Sequence, residues 1–243
     1  MTDFSGKTLV LTGAAGAIGG AIASQFARAG ANLVLADVSL PSLTERWADF
    51  DQSKVVLFEH DAASSESNDA LIALAVSRFG AIDFLVPAAG IYPEQSIAEM
   101  TNDQWHRAIS VNLDGVFYIT RAAIPHLAEN SAIVNLASVA GHRGSNRHGH
   151  YAATKGALLA FTRGLTWELG SRTRVNAVSP GIIDTPMTIE LRAQKGDALL
   201  AQTPLARFGT SDEVASVVVF LCSPAASFVN GETIQINGGM HMI

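Results

Sequence analysis

Residues 7–37, KTLVLTGAAGAIGGAIASQFARAGANLVLAD, decide the fold. Lys7–Thr12 is a short apolar run without polar alternation, the pattern of a parallel strand buried on both faces. It ends at Gly13, and beyond the glycine cluster AIASQFARAG carries apolar residues at helical spacing. Asn32–Asp37, NLVLAD, is a second apolar strand. The order is strand, glycine-rich turn, helix, strand. Gly13, Gly16 and Gly19 would let the turn bend sharply and let a diphosphate reach the backbone at the helix N-terminus, where free N–H groups and the helix dipole favour an anion. The glycines stand three apart rather than as G-x-G-x-x-G. Glycines also serve plain turns, but a place between strand and helix favours cofactor binding.

Asp37 closes the second strand eighteen residues beyond Gly19. A carboxylate there can accept hydrogen bonds from adenosine ribose hydroxyls and would repel a 2′-phosphate. No Arg or Lys falls in the glycine turn or beside Asp37, so the cofactor expected is NAD rather than NADP. Alternatively, Asp37 caps the next helix.

Strands and helices go on alternating. A helix is expected over Ser39–Phe50 and a strand over Lys54–His60, followed by Asp61, which could reach an adenine amino group or cap a helix over 64–79. Strand four, Ile82–Val86, runs into Pro87-Ala88-Ala89-Gly90. A long helix over 101–127, with Thr101 as N-cap, carries Asn112 in mid-course. Asparagine is unfavourable inside a helix, which points to an open backbone carbonyl or a bound water beside it. Strand five is Ala132–Leu136 and strand six Arg174–Ser179, separated by a helix from Tyr151 to Gly170 with small residues on one side. Ile182–Arg207, with Pro186 and Pro204, reads as an irregular insertion with one short helix, suited to a substrate lid. Ser211–Cys222, capped by Ser211, is the last helix, and Thr233–Ile236 the last strand. This alternation predicts an α/β fold of Rossmann type. Its doubly wound parallel sheet has seven strands in the order 3-2-1-4-5-6-7, with helices on both faces, in a single domain over 1–243.

The chain has 243 residues, a net charge of -6 and 48% hydrophobic residues, enough for a self-sufficient core. Mild acidity argues against a nucleic-acid partner. No apolar run approaches the ~20 residues of a membrane span, and MTDFSGKTLVLTG lacks the basic start of a signal peptide. A cytoplasmic protein is expected. The lone cysteine, Cys222 in VVVFLC, reads as a core thiol rather than a nucleophile.

Residues 138–155, SVAGHRGSNRHGHYAATK, carry the chemistry. Tyr151 and Lys155 are four apart, on one helix face. A tyrosine phenol ordinarily loses its proton near pH ~10, and a nearby ammonium favours the phenolate. Tyr151 would then serve as acid or base for a carbonyl–alcohol pair, with Ser138 holding the substrate oxygen.

Taken together, these residues resemble the short-chain dehydrogenase/reductase family along essentially the whole chain. Thr12, Gly13, Gly16, Ile18 and Gly19 read like its cofactor signature, with Ala17-Ile18 joining the last two glycines. Asn112, Ser138, Tyr151 and Lys155 match its catalytic tetrad. Pro180-Gly181, with Thr185 after it, is similar to the segment that meets the nicotinamide, and Ala89-Gly90 to the cofactor-binding turn after strand four. Where the family carries Asn-Asn-Ala-Gly this chain has Pro87-Ala88-Ala89-Gly90, without the asparagine that tethers the turn. The resemblance implies a hydride moving between substrate carbon and nicotinamide C4. It implies that Lys155 binds the nicotinamide ribose and that Asn112 holds a water linking Lys155 to solvent. It also implies a homotetramer built on the helices at about 101–129 and 150–170 and on the last strand region.

Three functions are open. The first is an NAD-dependent dehydrogenase of a polyol, sugar or hydroxy acid. The second is a 3-oxoacyl-thioester (acyl-carrier-protein or CoA) reductase, a group that commonly prefers NADPH. The third is a dinucleotide-sensing protein without catalysis, against which the intact tetrad argues. His142, Arg143, Arg147, His148 and His150 make either a basic rim for an anionic or polyhydroxylated substrate, or a solvated or subunit-contact loop. No metal is expected, since neither Cys nor carboxylate stands close to His148-x-His150. Tyr92, Met187 and Leu191 are candidates for an apolar pocket wall, and Trp105 for the core.

Overall fold

The computed structural model describes residues 2–242; the single-domain reading over 1–243 takes in Met1 and Ile243, which lie outside the described residues. Its frame is one sheet of β1 (Thr8–Thr12), β2 (Asn32–Asp37), β3 (Val55–Glu59), β4 (Ile82–Pro87), β5 (Leu127–Leu136), β6 (Thr173–Pro180) and β7 (Thr233–Ile236). The order is β3-β2-β1-β4-β5-β6-β7 and every pairing is parallel, as expected. The direction of winding reverses between β1 and β4, so a crevice opens there at the carboxyl ends of the strands. The helices are α1 (Ala17–Arg28), α2 (Leu40–Trp47), α3 (Ser65–Phe79), α4 (Asn102–Ile109), α5 (Gly115–Ala123), α6 (Val139–Arg143), α7 (Gly149–Leu169), α8 (Ile189–Ala201) and α9 (Ser211–Cys222).

Successive strand residues point to opposite faces, and two apolar clusters follow from it. Leu9 and Leu11 of β1 pack with Ile22 and Phe26 of α1 and Val214 and Val218 of α9. Val10 and Leu85 pack on the other face with Leu71 and Ile72 of α3, Ile119 of α5 and Leu165 of α7. Helices on both faces therefore require largely apolar strands, and every residue of β1 and β4 is buried, Asp83 included, its carboxylate accepting the Thr8 N–H at 2.9 Å.

Several local expectations need correcting. The helix foreseen over 101–127 is interrupted: α4 stops at Ile109, a π-helical turn spans Ser110–Asp114, and α5 ends at Ala123. A short turn containing Pro125 follows, and β5 starts at Leu127 rather than Ala132. The cap of α9 is Thr210, not Ser211. Thr210 Oγ1 accepts the Glu213 N–H at 3.3 Å and Glu213 Oε2 accepts the Thr210 N–H at 2.8 Å, a reciprocal capping box. Ser39 and Ser64 cap α2 and α3, so neither Asp37 nor Asp61 is spent on capping. Trp105, assigned to the core, is 38% exposed on α4. The 182–207 insertion holds a 3-10 turn, Pro186–Thr188, and the 13-residue α8, longer than foreseen. Cys222 is a core thiol, pushed up to about 12 by burial. Among the described residues no helix is long and apolar enough to cross a membrane.

Candidate active site

The carboxyl ends of β1 to β4 face a cleft of about 850 Å³. Gly13, Gly16, Ile18, Gly19, Asp37, Asp61, Ala89, Gly90 and Thr185, nine residues singled out from sequence, all line it. Pro180 and Gly181 do not: Pro180 pairs with Ile236 in the sheet, and the Gly181 N–H donates to the Ile236 carbonyl at 2.9 Å. Sequence reasoning missed His60, Arg107, Ser110 and Val111 on the cleft wall. The last three stand three and four residues apart, a one-face helical spacing that could have exposed them.

The glycine turn is tight for a steric reason. Gly13 has φ +69°, and a Cβ on it would lie 2.7 Å from the Ala88 carbonyl oxygen. A Cβ on Gly19 would lie 2.1 Å from the Gly13 carbonyl oxygen. The first turn of α1 starts at Gly16 without a side-chain cap, so its N–H groups remain available to a ligand. Asp37, at the tip of β2, accepts the Ala15 N–H at 3.0 Å and the Ser39 N–H at 3.2 Å. Thr12 tethers the turn after β4, its Oγ1 accepting the Ala89 N–H at 3.2 Å.

Asn112 explains its own awkward position. It is fully buried in the π-helical turn, where Oδ1 accepts the Ile91 N–H at 2.8 Å and Nδ2 donates to the Ile91 carbonyl at 2.9 Å. The side chain is thus committed to the loop after β4. A Cβ on neighbouring Gly90 would lie 3.1 Å from Asn112 Oδ1 and 4.0 Å from Lys155 Nζ, so cleft, asparagine and lysine meet at that glycine.

Ser138 ends the path of β5 and caps α6, its Oγ accepting the Ala140 N–H at 3.2 Å. Short α6 then lies against α7 so closely that a Cβ on Gly141 would meet the Lys155 carbonyl carbon at 2.6 Å. That contact brings Ser138 to the α7 face that carries Tyr151 and Lys155. Lys155 is buried, its Nζ donating to the Leu136 carbonyl at 2.6 Å and standing 5.6 Å from the centre of the Tyr151 ring. Burial pushes the Lys155 ammonium down to about 8. It pushes the half-buried Tyr151 phenol up to about 12, with the Ser138 hydroxyl drawing it down by less and the Tyr92 ring adding to the rise. Lys155 does not offset this rise while its ammonium is turned to the Leu136 carbonyl. Among the described residues no three His, Cys, Asp or Glu side chains gather as a metal site requires.

Comparison with known proteins agrees with this geometry. A family model described as Enoyl-(Acyl carrier protein) reductase matches residues 13–241. The 3-oxoacyl-(acyl-carrier-protein) reductase FabG of Thermotoga maritima is 37% identical, across 97% of this chain and 98% of its own. That of Vibrio cholerae is 35% identical, across 99% and 100%. A crystal structure from Brucella melitensis, described as short-chain dehydrogenase/reductase SDR: glucose/ribitol dehydrogenase, is 53% identical with a TM-score of 0.98 over 100% of both chains. With the expected sheet order and near-complete overlap with such relatives, the chain belongs to the short-chain dehydrogenase/reductase family of oxidoreductases.

Proposed function

We propose that the protein interconverts a carbonyl compound and its alcohol with a nicotinamide dinucleotide, Tyr151 acting as acid and base. The observation that carries it is the meeting of Asn112 and Lys155 at Gly90, on the mouth of a glycine-walled cleft at the sheet's switch point. The cleft fits a dinucleotide: it offers about 850 Å³, walled by Gly13, Gly16 and Gly19, beside a helix start that no side chain caps. Gly13, Gly16, Ile18 and Gly19 would hold the diphosphate, Asp37 the adenosine ribose, Asp61 the adenine, and Ala89, Gly90, Thr185 and Lys155 the nicotinamide half. Pro180 and Gly181 would support that half from the carboxyl end of β6. When bound, the nicotinamide supplies or accepts the hydride.

The chain's own work is proton transfer and orientation. Tyr151 gives its proton to the carbonyl oxygen in reduction, or takes the alcohol proton in oxidation. Ser138 donates a hydrogen bond to that oxygen. Lys155, released from Leu136 toward the ligand, favours the phenolate by its charge. Because the Asn112 side chain is committed to Ile91, the water link to Lys155 would run from its main chain, at a π-helical turn of the kind that marks functional sites. The 182–207 insertion serves as lid within one domain, with Met187 already on the cleft wall.

For the substrate, the curated relatives favour a 3-oxoacyl thioester over the polyol, sugar or hydroxy acid put first from sequence. The sugar or polyol remains a second reading, because the Brucella melitensis structure of 53% identity is described as a glucose/ribitol dehydrogenase. Asp37 supports NAD over NADP, because its carboxylate on the cleft wall would repel a 2′-phosphate. A cytoplasmic homotetramer completes the proposal. Initial rates with NADH and NADPH on an acetoacetyl thioester, and with NAD and NADP on ribitol and glucose, decide among these. Dinucleotide binding without turnover of either class would leave only a sensing role.

A further inference from the structure

The loop rich in histidine and arginine keeps Arg143 and Arg147 exposed but turns two of its histidines inward. His148 and His150 are buried, and residues 145–148 are clasped to residues 92–95. The Gln95 N–H donates to the Arg147 carbonyl at 2.7 Å, Gln95 and His148 form a parallel bridge, and Arg147 Nε donates to Glu94 Oε1 at 2.5 Å. Tyr92 Oη lies 3.3 Å from Ser145 Oγ, itself 3.3 Å from His148 Nδ1. His148 Nδ1 also lies 2.8 Å from the Asn146 carbonyl, which can only accept, so this nitrogen carries the proton and the ring is fixed. The clasp lays Tyr92 flat on His148, with centroids 3.9 Å apart and planes 2° from parallel. Tyr92 in turn meets Tyr151 at a centroid distance of 4.7 Å and an interplanar angle of 78°.

We propose that Tyr92, braced by His148, is a positioning residue for Tyr151: it fixes the orientation of the phenol and shields one flank from water. The inference rests on the reading of Tyr151 as the acid and base. An edge-to-face contact is a preferred aromatic geometry and resists rotation of either ring. A proton donor must be aligned with its target within a fraction of an ångström to be effective. Burial raises the proton affinity of both phenols, as a dry flank requires. The groups facing this cluster are Ser138 and Lys155 at Tyr151, and Glu94, Arg147, Lys195 and His150 at His148. Thus the loop singled out by its charge acts through an uncharged stack.

The test uses Tyr92→Leu, Tyr92→Phe and His148→Phe, with two independent readouts. The first is kcat, KM and dinucleotide affinity on the substrate that the panel above identifies. The second is a pH titration of protein carrying tyrosine labelled with ¹³C at Cζ, in which the chain's three tyrosines give three signals and Tyr151→Phe assigns one. Tyr92→Leu is expected to lower kcat by about tenfold or more, to leave dinucleotide affinity unchanged, and to move the Tyr151 titration to lower pH. Tyr92→Phe and His148→Phe keep the stack and should retain most of kcat. An unchanged kcat in Tyr92→Leu, or a loss of kcat with the Tyr151 titration unmoved, overturns the proposal. If wild-type protein turns over neither substrate class yet Tyr92→Leu moves the Tyr151 titration, the positioning contact stands and the redox reading falls. If turnover is present and neither readout responds to Tyr92, the redox reading stands and the positioning role falls.

Discussion

Lys155 Nζ donates to the Leu136 carbonyl at 2.6 Å, two residues before Ser138, so lysine and serine share one anchor at the end of β5. Burial holds this ammonium down at about 8 and the Tyr151 phenol up at about 12. Their signs on stability are opposite. Lys155 binds fewer protons folded than unfolded between about 8 and its ordinary 10.5, so stability rises with pH across that window and is lost as pH falls through 8. Tyr151 binds more protons folded than unfolded between its ordinary 10.0 and about 12, so stability falls as pH rises there. Denaturant unfolding against pH should show both limbs; Lys155→Met should flatten the first and Tyr151→Phe the second. Because the buried Cys222 thiol lowers stability as pH rises above its ordinary 9.0, the profile is read in a Cys222→Ala background, where a level run from pH 8 to 10 would show that Lys155 is not desolvated.

Gly19 and Gly16 separate sterics from general loop softness. A Cβ on Gly19 would press on the Gly13 carbonyl oxygen from 2.1 Å, whereas one on Gly16 would sit 3.2 Å from the same atom. Gly19→Ala is expected to cost about 1–3 kcal/mol of stability and most of the dinucleotide affinity, with Gly16→Ala much milder. Thermal melting and fluorescence titration with NADH check this, and equal losses at the two positions would show that close approach is not what limits the turn.

Asp37 faces the cleft and pairs with no Lys or Arg among the described residues. Asp37→Ser removes a charge that a 2′-phosphate would meet. The ratio of kcat/KM for NADP to that for NAD should rise about tenfold, equivalent to ~1.4 kcal/mol. An unchanged ratio would remove Asp37 as the source of selectivity.

Much of this was legible in the chain, for identifiable reasons. Leu9, Val10 and Leu11 must be apolar because helices cover both faces of β1, so the strand and its parallel neighbours announce themselves. Gly13, Gly19 and Asp37 come from one continuous unit, so their shared wall needs no long-range knowledge. Asn112 was visible as an oddity, but its answer, two hydrogen bonds to Ile91, depends on a loop 21 residues away. The burial of His148 was hidden because charge-rich segments ordinarily face water; its cause is Tyr92, brought in from another loop. Thr210 and Ser211 offer equivalent hydroxyls, and only the reach of Glu213 selects the first. The upward shift of Tyr151 was missed because spacing on a helix says nothing of where the Lys155 ammonium turns.

Asn112→Leu leaves the partly buried N–H and carbonyl of Ile91 without their side-chain partners. The expected loss is about 2–4 kcal/mol, the sum of two unsatisfied groups. Asn112→Asp keeps an acceptor for the N–H but offers no donor to the carbonyl, and should fall between. Urea unfolding at neutral pH checks the order; a Leu variant as stable as wild type would show that the loop after β4 finds other partners.

The acid–base role of one phenol is tested most directly by Tyr151→Phe, assayed for turnover and, in the same preparation, for NADH binding. Turnover should drop about 10²- to 10⁴-fold, the usual share of a general acid or base, while NADH affinity stays as in wild type. Turnover within a few-fold of wild type would contradict the assignment.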